Sequence, residues 1–477
     1  MTLFTHPGLT RLFPVIARKA KQSGELVESP GHGSTQSAGI ADQNAHDGAA
    51  TFPKAQHFTW LIFACFLLFP FRRSVELPLL IMAIGGIVLA YKYRSVFFHE
   101  PAIKLYTLLF ACIWIPMLAS IPDSYDLKTS GSTALSFLRL YLAGLLVIWA
   151  LRNQSQLSLL FKLLAGLTAF WVVDALFQAV AGHDLFGYAP VQSRLNGVFG
   201  ERSLKLGNAL PVLAPFLILA LRGKPALMLL AALLTAAVVL LAGSRGGWVS
   251  FGLVCAWLIL SEAQRRGVAL WKLGVVAALI GAMGTIAAFE HPRAKQRLDQ
   301  TLLLFSGDEA KIDLALSYRW TLWKDAFAMI EHHPVNGVGV RAFRYAYPEF
   351  AQAGDFFMQS GNSGDESAKP VGAYYAHQVV LEVMSETGLI GLVGLGLFYT
   401  LLVRHWRLAS RERRMLALPI AMAALAWIFP LNTHPSFYSA QWSILVWLVI
   451  AMLCASLLPM QMALNSSQEA GRMASSQ

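Results

Sequence analysis

Three basic side chains have types and settings suited to chemistry. Arg245 lies in LLAGSRGGWVS, a short connection between two long apolar runs. Arg319 lies in LSYRWTLWKDAF, and His377 lies in AYYAHQVVLEVMSETG, where a polar stretch runs back into an apolar one. A guanidinium group is a planar fork of donors that matches a pair of phosphate oxygens. An imidazole that stays neutral near physiological pH can accept a proton. Together these residues suit an anionic substrate whose reaction needs a proton acceptor. Each also has a plainer reading. Arg245 could snorkel to a membrane interface, Arg319 could be a solvated charge on an amphipathic helix, and His377 could be a satisfied interface residue. His183, His291, His332, His333 and His434 compete with His377. Only His377 stands at a polar-to-apolar junction with acidic residues following on the same segment.

A second group of residues surrounds these three. Glu382 and Glu386 are one helical turn apart, and two carboxylates entering a membrane helix are costly unless they face a cavity or a partner. They are therefore expected to take part in substrate binding. Gly388 and Gly391 would let that helix pack tightly against a neighbour. Arg341 and Arg344, in NGVGVRAFRYAYPEF, are three apart and share a face if that stretch is helical. They are expected to add positive charge to the same site, although solvated loop arginines fit equally well. The step from His377 to Glu382 is not a usual metal-ligand spacing, so no metal site is expected.

The elements that must position these residues are membrane helices. Of the 477 residues, 56% are hydrophobic and 14% charged, where a soluble domain carries about a quarter charged. A net charge of +11 would suggest nucleic acid in a soluble protein. In this composition it fits loops facing anionic lipid and cations gathered around an anionic substrate. No nucleic acid partner is expected. The four cysteines, Cys65, Cys112, Cys255 and Cys454, each lie in an apolar run and fit small core residues. No phosphate-loop or dinucleotide-binding motif occurs, and no cofactor is expected.

A span needs roughly 20 mostly apolar residues. Candidates fall at 57–72, 76–92, 104–121, 133–151, 157–180, 205–221, 225–243, 247–263, 271–289, 378–403, 414–430 and 439–460. The expected fold is thus all-α and polytopic, with about twelve transmembrane helices. Residues 1–56 form an expected disordered cytoplasmic tail without a signal peptide; residues 9–21 could form a basic amphipathic helix on a membrane surface. Spans one to nine occupy 57–289, a long helical insertion occupies 290–377, spans ten to twelve occupy 378–460, and 461–477 is a second cytoplasmic tail. Short-loop basic residues favour both termini inside, which puts the 290–377 insertion, as a lid, on the outer face.

The motifs GSRGG after a long apolar span, R-W-x-x-W-x-x-A, H-P-x-x-G-x-G and A-H-Q-x-x-L-x-x-x-x-E-x-G-x-x-G resemble the O-antigen ligase and O-antigen polymerase superfamily. The resemblance covers roughly residues 205–430. Many relatives carry Asn where this chain has Gln378. The resemblance implies a GT-C-like glycosyltransferase of the bacterial inner membrane with its active site facing the periplasm. Its donor would be a glycan on undecaprenyl diphosphate, and in the ligases the acceptor is a sugar hydroxyl of lipid A–core. Polymerases and protein O-oligosaccharyltransferases share the superfamily, and a lipid-linked anion transporter or flippase is the alternative from another class. Carried over by motif, Arg245 and Arg319 match the arginines that hold the diphosphate, and His377 matches the proposed base. The reaction implied needs neither metal nor nucleotide.

Overall fold

The computed structural model describes residues 55–201, 203–267, 299–300, 302–352, 355–359, 372–433 and 436–458. These residues form an all-helical assembly. Its principal helices are α1 (Ala55–Leu68), α2 (Glu76–Lys92), α3 (Pro101–Ala119), α4 (Leu127–Ala150), α5 (Gln154–Ala181), α6 (Leu206–Ala220), α7 (Pro225–Leu241) and α8 (Arg245–Arg266). After them come three short helices of the insertion, α9 (Glu309–Ala315), α10 (Arg319–His332) and α11 (Phe343–Phe350). The chain then closes with α12 (Val379–Leu408), α13 (Arg411–Ile428) and α14 (Trp442–Leu457).

Six helices among the described residues are long and apolar enough to cross a membrane, and four shorter apolar helices accompany them. Every expected span that falls within the described residues is helical. The expected span at 271–289, the tail before residue 55, His291 and His434 lie outside them.

The bundle is layered around α14, all of whose residues are buried. A helix that is apolar all round belongs inside a bundle. Between apolar helices in lipid the drive is close packing more than exclusion of water. The rings supply that contact: Trp427 stacks on Trp442 at 4.6 Å, and Phe110 meets Trp447 edge-on at 5.0 Å. By contrast α7 buries only Thr235, Val238 and Val239. Its exposed leucines, with Leu77, Leu80, Ile84 and Ile87 of α2, make an apolar exterior suited to lipid.

Above one end of the bundle the insertion has its own small core. Leu322, Ala326 and Met329 repeat at helical spacing along α10 and pack on Val338, Phe343, Tyr347, Ala373 and Ala376. Burying a side chain such as Leu322 contributes about 1.5–3 kcal/mol where water is the alternative.

The long helix α12 is two helices joined at Gly388, whose backbone (φ 62°, ψ −157°) is not helical. The segment Pro334–Gly339 lies in this break. Leu389 and Ile390 donate to the carbonyls of Pro334 and Val335 (2.8 and 3.1 Å), while Val338 and Gly339 donate to those of Ser385 and Glu386 (2.8 and 3.0 Å). The end groups that a broken helix leaves unpaired are thus satisfied on both sides. Only glycine permits so close an approach. A Cβ at Gly388 would come within 2.3 Å of the Val335 backbone, and one at Gly337 within 2.4 Å of the Glu386 backbone. The sequence motifs HHPVNGVG and ETG are therefore the two halves of one joint.

Candidate functional site

Arg245 is set by the turn between α7 and α8. Gly243 takes a left-handed conformation (φ 67°), which glycine adopts without strain. Ser244 then caps α8, accepting from the Gly247 amide at 3.2 Å and donating to Asn208 of α6. Helices α8 and α6 touch where a Cβ at Gly247 would lie 2.0 Å from the Gly207 carbonyl. Thus the second glycine of SRGG fixes the height of α8 and so of Arg245. The Arg245 guanidinium donates to the carbonyl of Ala315 at the end of α9, which draws the α9–α10 corner over the mouth of the bundle.

Arg319 is the first residue of α10. Ser317 and Tyr318 before it are both left-handed (φ 58° and 61°), a costly conformation for residues with a side chain. Asp313 holds the corner: its carboxylate accepts from the amides of Trp320 and Thr321 (2.9 and 3.2 Å) and from the Thr321 hydroxyl (2.6 Å). Among the described residues no carboxylate pairs with Arg319. Burial and the charge of Arg245 lower its pKa, while the Tyr375 phenol opposes that shift.

His377 stands just before α12 and is also left-handed (φ 52°). Trp323 of α10 donates its indole N–H to the Ala376 carbonyl at 3.1 Å, and the Tyr375 ring lies against the imidazole with centroids 4.1 Å apart. Gln378 caps α12, accepting from the Leu381 amide at 2.6 Å and donating to the Pro430 carbonyl at 2.9 Å. The longer side chain thus does what a shorter Asn does at an N-cap. Burial, then the Arg319 charge, pull the His377 pKa down to about 3. The imidazole is therefore neutral at physiological pH and able to take a proton. The three residues chosen from the sequence feel one another: Arg245 acts on Arg319, and Arg319 on His377.

The second group divides. Glu382 and Glu386 are 1% and 0% exposed. Glu382 accepts from the Ser436 hydroxyl and from the amides of Phe437 and Tyr438 (3.0 and 3.4 Å). Glu386 accepts from the Arg341 amide at 2.6 Å. Both carboxylates hold backbone, and Glu386 keeps its buried Oε1 without a hydrogen-bond partner among the described residues. Burial at this cost is tolerable because backbone donors and Arg341 lie alongside. Arg341 and Arg344 do not share a face. Arg341 is left-handed (φ 61°) and precedes α11, and its side chain turns inward to the Ser436 hydroxyl at 3.1 Å. Arg344 turns outward, with its guanidinium 4.6 Å from the Tyr345 ring and 5.7 Å from the Tyr374 ring.

Sequence reasoning missed Trp323, Tyr375 and Arg194. The Arg194 side chain lies 3.1 Å from where a Gly243 Cβ would be, beside the Arg245 turn. Its loop is pinned to α5 by Asp174 and Gln178, which accept from the amides of Val198 and Asn196 (2.8 and 3.0 Å). The signal available was a lone arginine in a polar loop, which spacing cannot distinguish from a solvated one. Among the described residues no group of three or more His, Cys, Asp or Glu is placed to hold a metal ion.

Residues 230–396 match the model of the O-antigen ligase family (Wzy_C). The matched stretch contains Arg245, Arg319, His377 and both halves of the Gly388 joint. No curated protein matches the chain.

Proposed function

We propose that this chain is a glycosyltransferase that moves a preassembled glycan from undecaprenyl diphosphate to a sugar hydroxyl of lipid A–core. The observation that supports the reading is that Arg245 donates to the Ala315 carbonyl beside the Arg319 corner, and Trp323 of the Arg319 helix donates to the Ala376 carbonyl beside His377. The matched ligase domain over the same residues supports it. Placing that mouth on the periplasmic side of the bacterial inner membrane belongs to the same proposal and follows from the loop charges. So does a full set of about twelve spans in a GT-C-like arrangement.

In this mechanism the acceptor hydroxyl lies against His377 and attacks the anomeric carbon of the donor. A new glycosidic C–O bond forms as the bond to the phosphate oxygen breaks. The hydroxyl proton goes to the imidazole, and undecaprenyl diphosphate leaves with the bonding electron pair. Arg245 and Arg319 stabilise the charge that builds on the leaving oxygen. They are held in place before the reaction by the Ala315 carbonyl and the Asp313 corner, so little reorganisation is needed. Two guanidinium groups supply the positive charge that a metal would otherwise bring. A single in-line displacement inverts the anomeric centre. Donor binding also improves the base, because a bound diphosphate offsets the Arg319 charge that makes His377 hard to protonate.

The test is transfer by the purified protein in lipid, with glycan-linked undecaprenyl diphosphate and lipid A–core supplied. The expected product is a new bond of inverted configuration, with loss of transfer in a folded His377→Ala protein. Joining of donor glycans to one another would identify a polymerase instead. Movement of the donor across the bilayer without any new bond would identify a transporter.

A further inference from the structure

We propose that Arg344, Tyr345 and Tyr374 form a saccharide platform that seats the acceptor sugar beside His377. The inference rests on the glycosyl-transfer reading and adds to it the place where the acceptor glycan is held.

The platform is built from three sources. Tyr345 and Arg344 come from the first turn of α11, and Tyr374 from the bend leading to His377. The Tyr345 hydroxyl reaches the Thr129 hydroxyl in the first turn of α4 at 3.3 Å, which anchors the group to the bundle. Arg344 donates to the Tyr345 hydroxyl at 2.6 Å and lies close to both tyrosine rings. Among the described residues it has no carboxylate partner. A guanidinium has five N–H donors, so Arg344 keeps donors for a ligand. Tyr374 is 48% exposed, so its ring has a face open to solvent.

This combination suits a sugar. The C–H face of a hexose is apolar and weakly positive, and it is attracted to the negative face of an aromatic ring. The guanidinium fork beside the ring pairs with neighbouring hydroxyls or a sugar phosphate. Other exposed rings of the insertion lack this equipment. Phe305, Phe327 and Phe356 carry no polar group, and Trp320 lies beside Lys324, whose ammonium is already bridged to Glu309.

Position selects the acceptor over the donor. Tyr374 and Tyr375 are adjacent, and Tyr375 faces inward against His377. With about 3.8 Å between successive Cα atoms, the Tyr374 and His377 Cα atoms lie within roughly 11 Å of each other. In an in-line displacement the attacking hydroxyl and the leaving diphosphate occupy opposite sides of the anomeric carbon. The diphosphate belongs with Arg245 and Arg319 on α8 and α10, so the sugar next to the base is the one that supplies the nucleophile.

The experiment measures initial transfer rates with acceptor and donor varied separately for wild type, Tyr374→Ala, Tyr374→Phe and Arg344→Ala. Tyr374→Ala and Arg344→Ala are expected to raise the acceptor KM about tenfold, with kcat and donor KM unchanged. Tyr374→Phe, which keeps the ring, restores the wild-type value. Unchanged donor KM also shows that the variants are folded. In parallel, deacylated lipid A–core oligosaccharide is titrated onto each protein by calorimetry without donor. Wild type should bind it, and Tyr374→Ala should bind it about tenfold more weakly. Transfer by Tyr374→Ala at the wild-type acceptor KM, or a change in donor KM instead, overturns the platform and leaves the transfer reading intact. Absence of any glycosidic product with wild type overturns that reading, and equal binding of the oligosaccharide by wild type and Tyr374→Ala then overturns the platform independently.

Discussion

The two ends of α8 treat positive charge in opposite ways. At the far end Glu262 gathers Arg222, Arg265 and Arg266, the last two at 2.7 and 3.1 Å. There the protein answers its own cations with a buried carboxylate. At the near end Arg245 lies within the field of Arg319, and among the described residues no carboxylate bridges Arg319. Two like charges in a partly buried setting favour an anion between them. Of the carboxylates nearby, Glu382 is turned to backbone amides, and Glu386 accepts from the Arg341 amide through one oxygen. The difference separates charge that maintains the fold from charge that we propose serves a ligand.

The comparison breaks first on activity. His377→Ala is expected to lower transfer by about 10²- to 10⁴-fold, and Arg319→Ala by about 10²- to 10³-fold. Arg266→Ala, at the other end, should leave transfer within about twofold, because one exposed partner of Glu262 contributes little. Initial rates on purified proteins check all three. Equal losses at both ends would remove the distinction.

Stability should show the reverse pattern. Glu262→Ala leaves three arginines without their shared partner and is expected to cost about 3 kcal/mol. Thermal unfolding in detergent measures the loss, and kcat per folded molecule should not change. Gly388→Ala couples the two regimes. The added methyl has no room against the Val335 backbone, and the joint should loosen at a cost of about 2–3 kcal/mol. Because the segment it releases leads to Arg341, activity should fall together with stability.

Some of this was legible in the sequence and some was not. Apolar runs of membrane length announced the helices, because burial in lipid constrains composition directly. Arg245, Arg319 and His377 stood out because each interrupts a pattern: a charge between apolar runs, an arginine entering an aromatic helix, a histidine at re-entry. The break at Gly388 was hidden, since hydropathy does not register whether a helix is continuous. The partners of Glu382, Ser436 to Tyr438, were hidden because they lie more than fifty residues away. A shared face for Arg341 and Arg344 required a helix through both, and a left-handed residue at Arg341 cannot be foreseen from a non-glycine side chain.

A smaller effect lies in the insertion core. Asp325 of α10 is buried beside Tyr347, which also donates to Asp355 at 3.0 Å. Burial raises the Asp325 pKa to about 6, against about 3.9 in an unfolded chain. Between those values the folded form binds the proton that the unfolded form has released. Stability therefore falls as pH rises from about 4 to 6, by at most about 3 kcal/mol, and stays lower above that range. Asp325→Asn should remove this dependence and raise the melting temperature at pH 7.5. Melting curves across pH 4–8 for the two proteins check it.

In the proposed reaction, a diphosphate held by Arg245 and Arg319 lies within the electrostatic reach of His377. The direct measurement is an NMR titration of isotope-labelled His377 with and without undecaprenyl diphosphate. Free protein should titrate at about 3, and bound diphosphate should raise that value by at least about one unit as it offsets Arg319. In Arg319→Ala the free value should already be higher and the ligand-induced shift smaller. A His377 pKa that does not move when undecaprenyl diphosphate binds to the wild-type protein would contradict the account.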